Sequence, residues 1–392
     1  MFGASRLTAL DGLRGVAALV VVVHHCFLVS PAFAAAYYGG EVGENPLRQA
    51  LTYSPLHLIW GGAEAVVVFF VLSGFVLSRA IRSRSFDWFA YFPSRILRLY
   101  VPVAGAVAFA FLILLIPHTD LPATPWLERD RFDYDIGSML QDLTLVGGTS
   151  GVVSPLWSLR WEVVFSLLLP VAAFAARLIP AWMFGALCVG ATALGATQGN
   201  SAMHYLPIFG VGVALEAGWD RIGTALDRLS SRARRALWCG MLPLAVVLLS
   251  MRWLLIPLVG RGVATASAAA PIVLGAALLV VMAVRCGPLQ RMFTWRPIAW
   301  LGAVSFSLYL IHEPLLITMA NLTGAARWTV VTTVPLALLA AWLFWRLVEQ
   351  PAHRLARHVR ARAAARTVVA PTTSVPAEAA PEAASERTPA SV

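Results

Sequence analysis

The sequence predicts an all-α fold: a polytopic membrane helix bundle of about ten transmembrane helices. Three observations carry that expectation. The 392 residues are 59% hydrophobic and only 13% charged, with a mean hydropathy of +0.73, which excludes an ordinary soluble enzyme. Apolar runs of the length a bilayer core demands, roughly 20 residues, recur along the chain. The cations gather between those runs, as the positive-inside rule requires.

In order, the spans fall at about 12–31, 58–78, 99–117, 156–176, 180–197, 204–219, 236–256, 263–284, 298–317 and 328–348. Arg79, Arg82, Arg84, Arg95 and Arg98 occupy one connector, and Arg221, Arg228, Arg232, Arg234 and Arg235 a second. Arg285, Arg291 and Arg296 occupy a third, and Arg354, Arg357, Arg360, Arg362 and Arg366 follow the last span. The rule assigns all of these, and both termini, to the cytoplasmic side of the cell membrane. The net charge of +10 is therefore a matter of topology, not of nucleic-acid binding. All 30 basic residues are arginine, so Schiff-base and lysine general-base chemistry are excluded.

The longest connector on the opposite side, about 118–155, carries Asp120, Glu128, Asp130, Asp133, Asp135 and Asp142 against Arg129 and Arg131. It reads as an outward lid or acceptor-binding loop, or as a plain connector. Residues 367–392 are rich in Ala, Pro, Thr, Ser and Glu, the composition of a disordered tail. The expected division is a membrane domain over 1–350 and a basic, then low-complexity cytoplasmic tail over 351–392. No repeat of 20–50 residues is visible. Arg6, an apolar run and Ala32-Phe33-Ala34 resemble a cleavable signal peptide, but Arg14 interrupts its start. Cys26, Cys188, Cys239 and Cys286 lack CxxC spacing and read as packing residues.

Ionisable residues inside apolar spans mark function by default. Arg14 and His25 lie eleven residues apart on the first span, on one face and roughly 16 Å apart along the axis. Counting rise per residue places Glu64, Glu162 and His312 in the same outer layer as His25. Ser158 and Glu162 share a helix face, and Ser305, Tyr309 and His312 form one stripe. Histidine suits removal of a proton from a hydroxyl near neutral pH. A carboxylate can fix its tautomer, with Glu162 and Glu64 the candidates. Arg14, Arg95 and Arg98, at the cytoplasmic level, suit phosphate binding.

These residues carry a resemblance. Leu10-Asp11-Gly12-Leu13-Arg14-Gly15 with His25, Phe69-Phe70-Val71-Leu72-Ser73-Gly74-Phe75, Arg95-Ile96-Leu97-Arg98 with Pro102, Trp157-Ser158-Leu159 with Glu162, Ser305 with Tyr309-Leu310-Ile311-His312, and Glu349 with Pro351 occur in family order. Over roughly 7–350 the chain resembles the acyltransferase family 3 of integral-membrane O-acyltransferases. The resemblance implies transfer from cytoplasmic acyl-CoA, a co-substrate, to a hydroxyl of an envelope carbohydrate, macrolide or other glycoside. No bound cofactor is expected, and no metal, since no His, Asp or Glu pair shows ligand spacing with a partner cluster. It implies Arg14 and His25 as the key pair, with Arg95, Arg98, Ser158 and Glu162 supporting. The chain departs from the family's usual pattern at Ser94-Arg95, Ser166, Ser305-Phe306 and Glu349-Gln350-Pro351.

The expected mechanism has His25 as general base, Glu162 or Glu64 orienting it, and Tyr309 or Ser158 donating to the oxyanion. Cys26 or Ser73 as an acyl carrier is the covalent alternative, without a nucleophile elbow to support it. A proton-coupled transporter or flippase is the rival class, against which stands the absence of visible paired inverted halves. Several residues have plainer readings. His24 reads as a helix-packing residue, and Ser73-Gly74 as a close-packing pair. Glu349 reads as an arginine partner, and the arginines beyond Arg79 as contacts for anionic lipid heads. His57, His118 and His204 read as connector residues, and His353 and His358 as part of the basic tail.

Overall fold

The computed structural model describes residues 4–82, 86–116, 124, 126–127, 134–145, 147–325 and 328–368, with side chains from 8 to 362. His118, Asp120, Glu128, Asp130, Asp133 and the 369–392 tail lie outside the described residues.

The first half of the chain forms α1 (Ala4–Leu28), α2 (Pro31–Tyr38), α3 (Pro46–Tyr53), α4 (Gly62–Ile81), α5 (Trp88–Leu114), α6 (Ile136–Thr144) and α7 (Leu156–Leu178). The second half forms α8 (Ala181–Gln198), α9 (Ser201–Ala217), α10 (Trp219–Asp227), α11 (Ser231–Val259), α12 (Arg261–Arg285), α13 (Gly287–Phe293), α14 (Arg296–Thr323), α15 (Trp328–Phe344) and α16 (Gln350–Val368). Each expected span coincides with a helix. Among the described residues, eight helices are long and apolar enough to cross a membrane. The remaining two, α8 and α9, are only 18 and 17 residues long. They form a tight hairpin, because Gly199 ends α8 in the left-handed conformation and the Asn200 side chain caps α9.

Helix α14 is the most enclosed of the long helices, with 83% of its apolar window buried. It lies against α1 at backbone contact. A Cβ on Gly15 would stand 2.4 Å from the Gly302 nitrogen, and one on Gly302 would stand 2.4 Å from the Asp11 carbonyl oxygen. The α4–α9 pair is built the same way: a Cβ on Gly74 would meet the Phe209 carbonyl oxygen at 1.9 Å. Small residues let membrane helices approach this closely, so these glycines set the crossings that position the site.

Two local features shape the interior. The chain before α7 dips into the bundle. Both the amide and the hydroxyl of Ser154 donate to Glu313, at 2.6 and 2.5 Å. Glu313 lies ten residues before the C-terminal end of α14, about 15 Å down that helix. At the other face, a π turn over Trp345–Glu349 joins α15 to α16 in one continuous helical run. The boundary expected at 350 falls inside that run, and α16 packs along α5.

The arginines at the ends of α4 and α12 do more than face lipid. Arg79 and Arg82 donate to the buried Glu216 at 3.1 and 3.0 Å, and Arg82 reaches Asp220 at 3.3 Å. The Arg285 guanidinium lies 4.6 Å over the Trp219 ring. These contacts tie α4, α9, α10 and α12 together.

Candidate active site

The upper part of the site is a pair of imidazoles. His25, in the last turn of α1, and His312, in mid-α14, meet through Nδ1 and Nε2 at 2.8 Å. Both are buried. His312 Nδ1 lies 3.0 Å from the carbonyl oxygens of Leu308 and Tyr309, one turn earlier on its own helix. His25 Nε2 lies 3.9 Å from Glu313 Oε1. Trp126 stacks on the His25 ring with centroids 5.6 Å apart.

The lower part is a cavity of about 320 Å³ lined by Arg14, Arg95, Arg98, Ser158, Glu162, Ser305, Tyr309, Glu349 and His353, among others. Phe69 and Tyr309 are also among its lining, and the next turn of α14 carries His312. Ser158 and Tyr309 share a hydrogen bond of 2.6 Å there. Two of the three arginines are braced by carboxylates. Arg14 pairs with Asp11 at 2.9 Å, while Arg95 pairs with Glu162 at 2.5 Å and donates to Ser166 at 3.1 Å. Ser166, one of the departures from the family pattern, is thus part of the arginine's support.

The structure brings several of the expected residues together. Arg14, Arg95, Arg98, Ser158 and Tyr309 converge on one cavity, and His25 and His312 meet above it. His24 packs as expected, its ring nitrogen 2.8 Å from the Trp60 carbonyl oxygen. A Cβ on Gly62 would strike its ring at 2.6 Å.

Other expectations need correcting. Glu162 does not orient His25; its ion pair is with Arg95, in the arginine-lined cavity. The depth count placed it too high because it took the start of α7 as the membrane surface, whereas that start is sunk to the level of Glu313. Glu64 does not orient His25 either. It lies 3.7 Å from His57 Nε2, and His57 is buried beside it, not held in an open connector. Glu349 accepts from Ser307 at 2.5 Å and stands 3.8 Å from His353, so its close partners are a serine and a histidine.

Sequence reasoning missed two contributors and gave no role to a third. Glu313, beside His312 at the same counted depth, carried a signal, since a carboxylate beside a histidine in an apolar helix is doubly costly. Ser154 carried none. His353 was hidden by its place among the arginines of the tail. Among the described residues, no group of three His, Cys, Asp or Glu side chains is arranged to hold a metal ion.

Fold and site define a polytopic membrane protein with an ionisable centre enclosed above an arginine-lined cavity. Comparison with known proteins gives its class. A family model described as an acyltransferase domain matches residues 7–346, and the chain belongs to that acyltransferase family. The O-acetyltransferase PaAT-1 of Phomopsis amygdali is 39% identical over 71 residues, which is 18% of this chain and 13% of that protein. The match therefore spans only a small part of that relative's length. No solved structure matches the chain.

Proposed function

We propose that this acyltransferase moves an acyl group from cytoplasmic acyl-CoA to a hydroxyl of an envelope carbohydrate or related glycoside, with His25 as general base. The observation that carries the reading is the stacking of two chemistries on one helix. Arg14 opens onto the cavity with Arg95 and Arg98, and His25 lies eleven residues further along α1, roughly 16 Å up the axis. In this reading the membrane is the cell membrane and both termini are cytoplasmic, which puts the arginine-lined mouth on the donor's side.

The donor's phosphates dock on the arginines by charge-assisted hydrogen bonds. Its thioester arm enters toward Tyr309. The acceptor oxygen attacks the thioester carbonyl carbon while its proton passes to His25 Nε2. The hydrogen-bonded Ser158–Tyr309 pair donates one hydrogen to the oxyanion. The C–S bond then breaks, and the imidazolium returns its proton to the thiolate.

The test is incubation of purified protein with radiolabelled acetyl-CoA and a panel of glycoside and macrolide acceptors. Acceptor-dependent thiol release with label recovered as an ester supports the reading. Label held on the protein without acceptor contradicts direct transfer. Absence of both, with folded protein, contradicts acyl transfer and leaves a transporter as the better account.

A further inference from the structure

We propose that His312 is a positioning residue: it holds His25 in the Nδ1–H tautomer and so makes Nε2 the basic nitrogen. The proposal rests on the reading of His25 as general base and specifies how that base is prepared.

The argument follows the hydrogens. A carbonyl oxygen only accepts, so His312 Nδ1, 3.0 Å from the carbonyls of Leu308 and Tyr309, must be the nitrogen that carries hydrogen. An uncharged imidazole has one ring hydrogen, so His312 Nε2 presents a lone pair. That atom lies 2.8 Å from His25 Nδ1. In the uncharged pair, His25 Nδ1 therefore carries the hydrogen and donates it, which leaves the lone pair on Nε2. The main chain of α14 thus dictates, through two rings, which nitrogen of His25 is the base. A residue that sets the tautomer of a catalytic histidine is usually a carboxylate; here a second histidine, anchored on its own helix backbone, fills that place.

Glu313 fits the same scheme in a different role. Its two oxygens accept from the Ser154 amide and hydroxyl at 2.6 and 2.5 Å. Its Oε1 stands 3.9 Å from His25 Nε2, beyond hydrogen-bond distance. Once the acceptor's proton is on Nε2, the carboxylate lies close enough to stabilise the imidazolium by charge.

The experiment uses full-length protein in detergent with ¹⁵N-labelled histidine side chains. Nitrogen shifts distinguish protonated from bare ring nitrogens, and the His25→Ala variant assigns the His25 signals. The expected result is an Nδ1–H, bare-Nε2 ring for His25 in the wild type, lost or mixed in His312→Leu. Turnover of His312→Leu should fall roughly 10²-fold or more with donor KM little changed. His312→Gln, which keeps an acceptor near the Nε2 position, should recover to within about tenfold of wild type. An Nε2–H ring for His25 in the wild type would overturn the proposal, as would unchanged turnover in a folded His312→Leu protein. Full activity in His25→Ala would overturn the general-base reading itself. The tautomer of wild-type His25 is readable in either case, so the two failures are distinguishable.

Discussion

His25 and His312 stand 287 positions apart in the chain, yet their ring nitrogens meet at 2.8 Å. The meeting depends on how closely α1 and α14 approach. Gly12 and Gly15 on one helix and Gly302 on the other bring main chain against main chain. The motif that carries Arg14 is thus also a packing surface.

Gly15→Val should separate these helices. Its Cβ would fall 2.4 Å from the Gly302 nitrogen, and overpacking of this kind costs about 1–3 kcal/mol. Thermal unfolding in detergent should show a lowered midpoint, with acyl transfer falling in the protein that remains folded. Gly190→Ala, with nothing within 4 Å of the added Cβ, should leave both measurements unchanged.

The Arg95–Glu162 pair predicts a kinetic split. Since Glu162 braces a cavity arginine and not the base, Glu162→Gln and Arg95→Ala should act mainly on donor KM. Losing a hydrogen bond to a charged group is worth about 1.5–3 kcal/mol, or roughly ten- to a hundredfold. Steady-state kinetics at varied acyl-CoA checks this. A fall in kcat with KM unchanged would return Glu162 to the catalytic centre.

Glu64→Gln should leave turnover within a few-fold of wild type while weakening the fold. Its carboxylate is buried beside His57 at 3.7 Å, and a buried polar group deprived of its partner costs about 1–3 kcal/mol. The readouts are a lowered unfolding midpoint together with preserved kcat. Preserved stability with lost kcat would contradict the assignment of Glu64 to the His57 pair.

The bundle was legible from apolar length and arginine placement, because the bilayer imposes both on the chain locally. So was the Arg14-to-His25 relationship, since both residues lie on one helix whose geometry is fixed. The Ser305–Tyr309–His312 stripe was visible for the same reason. What stayed hidden depends on how separate helices are set against one another. Depth counting assumes that each span begins at the membrane surface; the Ser154 segment violates that, and Glu162 was misplaced as a result. No periodicity could reveal that Gly15 touches Gly302, or that the π turn after Phe344 brings Glu349 and His353 to the cavity.

A pH dependence of stability follows from the connector between α5 and α7. Asp142 is buried and accepts from Ser150 and Tyr134. Burial raises its pKa above the ordinary aspartate range, more than these bonds lower it. Because the folded value exceeds the unfolded one, its contribution is fully present below about pH 3.9 and is lost as pH rises through the raised folded value. Asp142→Asn should flatten that part of the stability–pH curve, measured by unfolding of the protein in detergent. An unaltered slope would contradict the assignment.

The most direct test of the central claim is single-turnover transfer from acyl-CoA by wild type and His25→Ala, with donor binding measured separately. The account predicts a rate at least about 10²-fold lower in the variant, with donor affinity retained because the arginine-lined cavity is intact. Equal rates in the two proteins would contradict His25 as the base, whatever else the site contains.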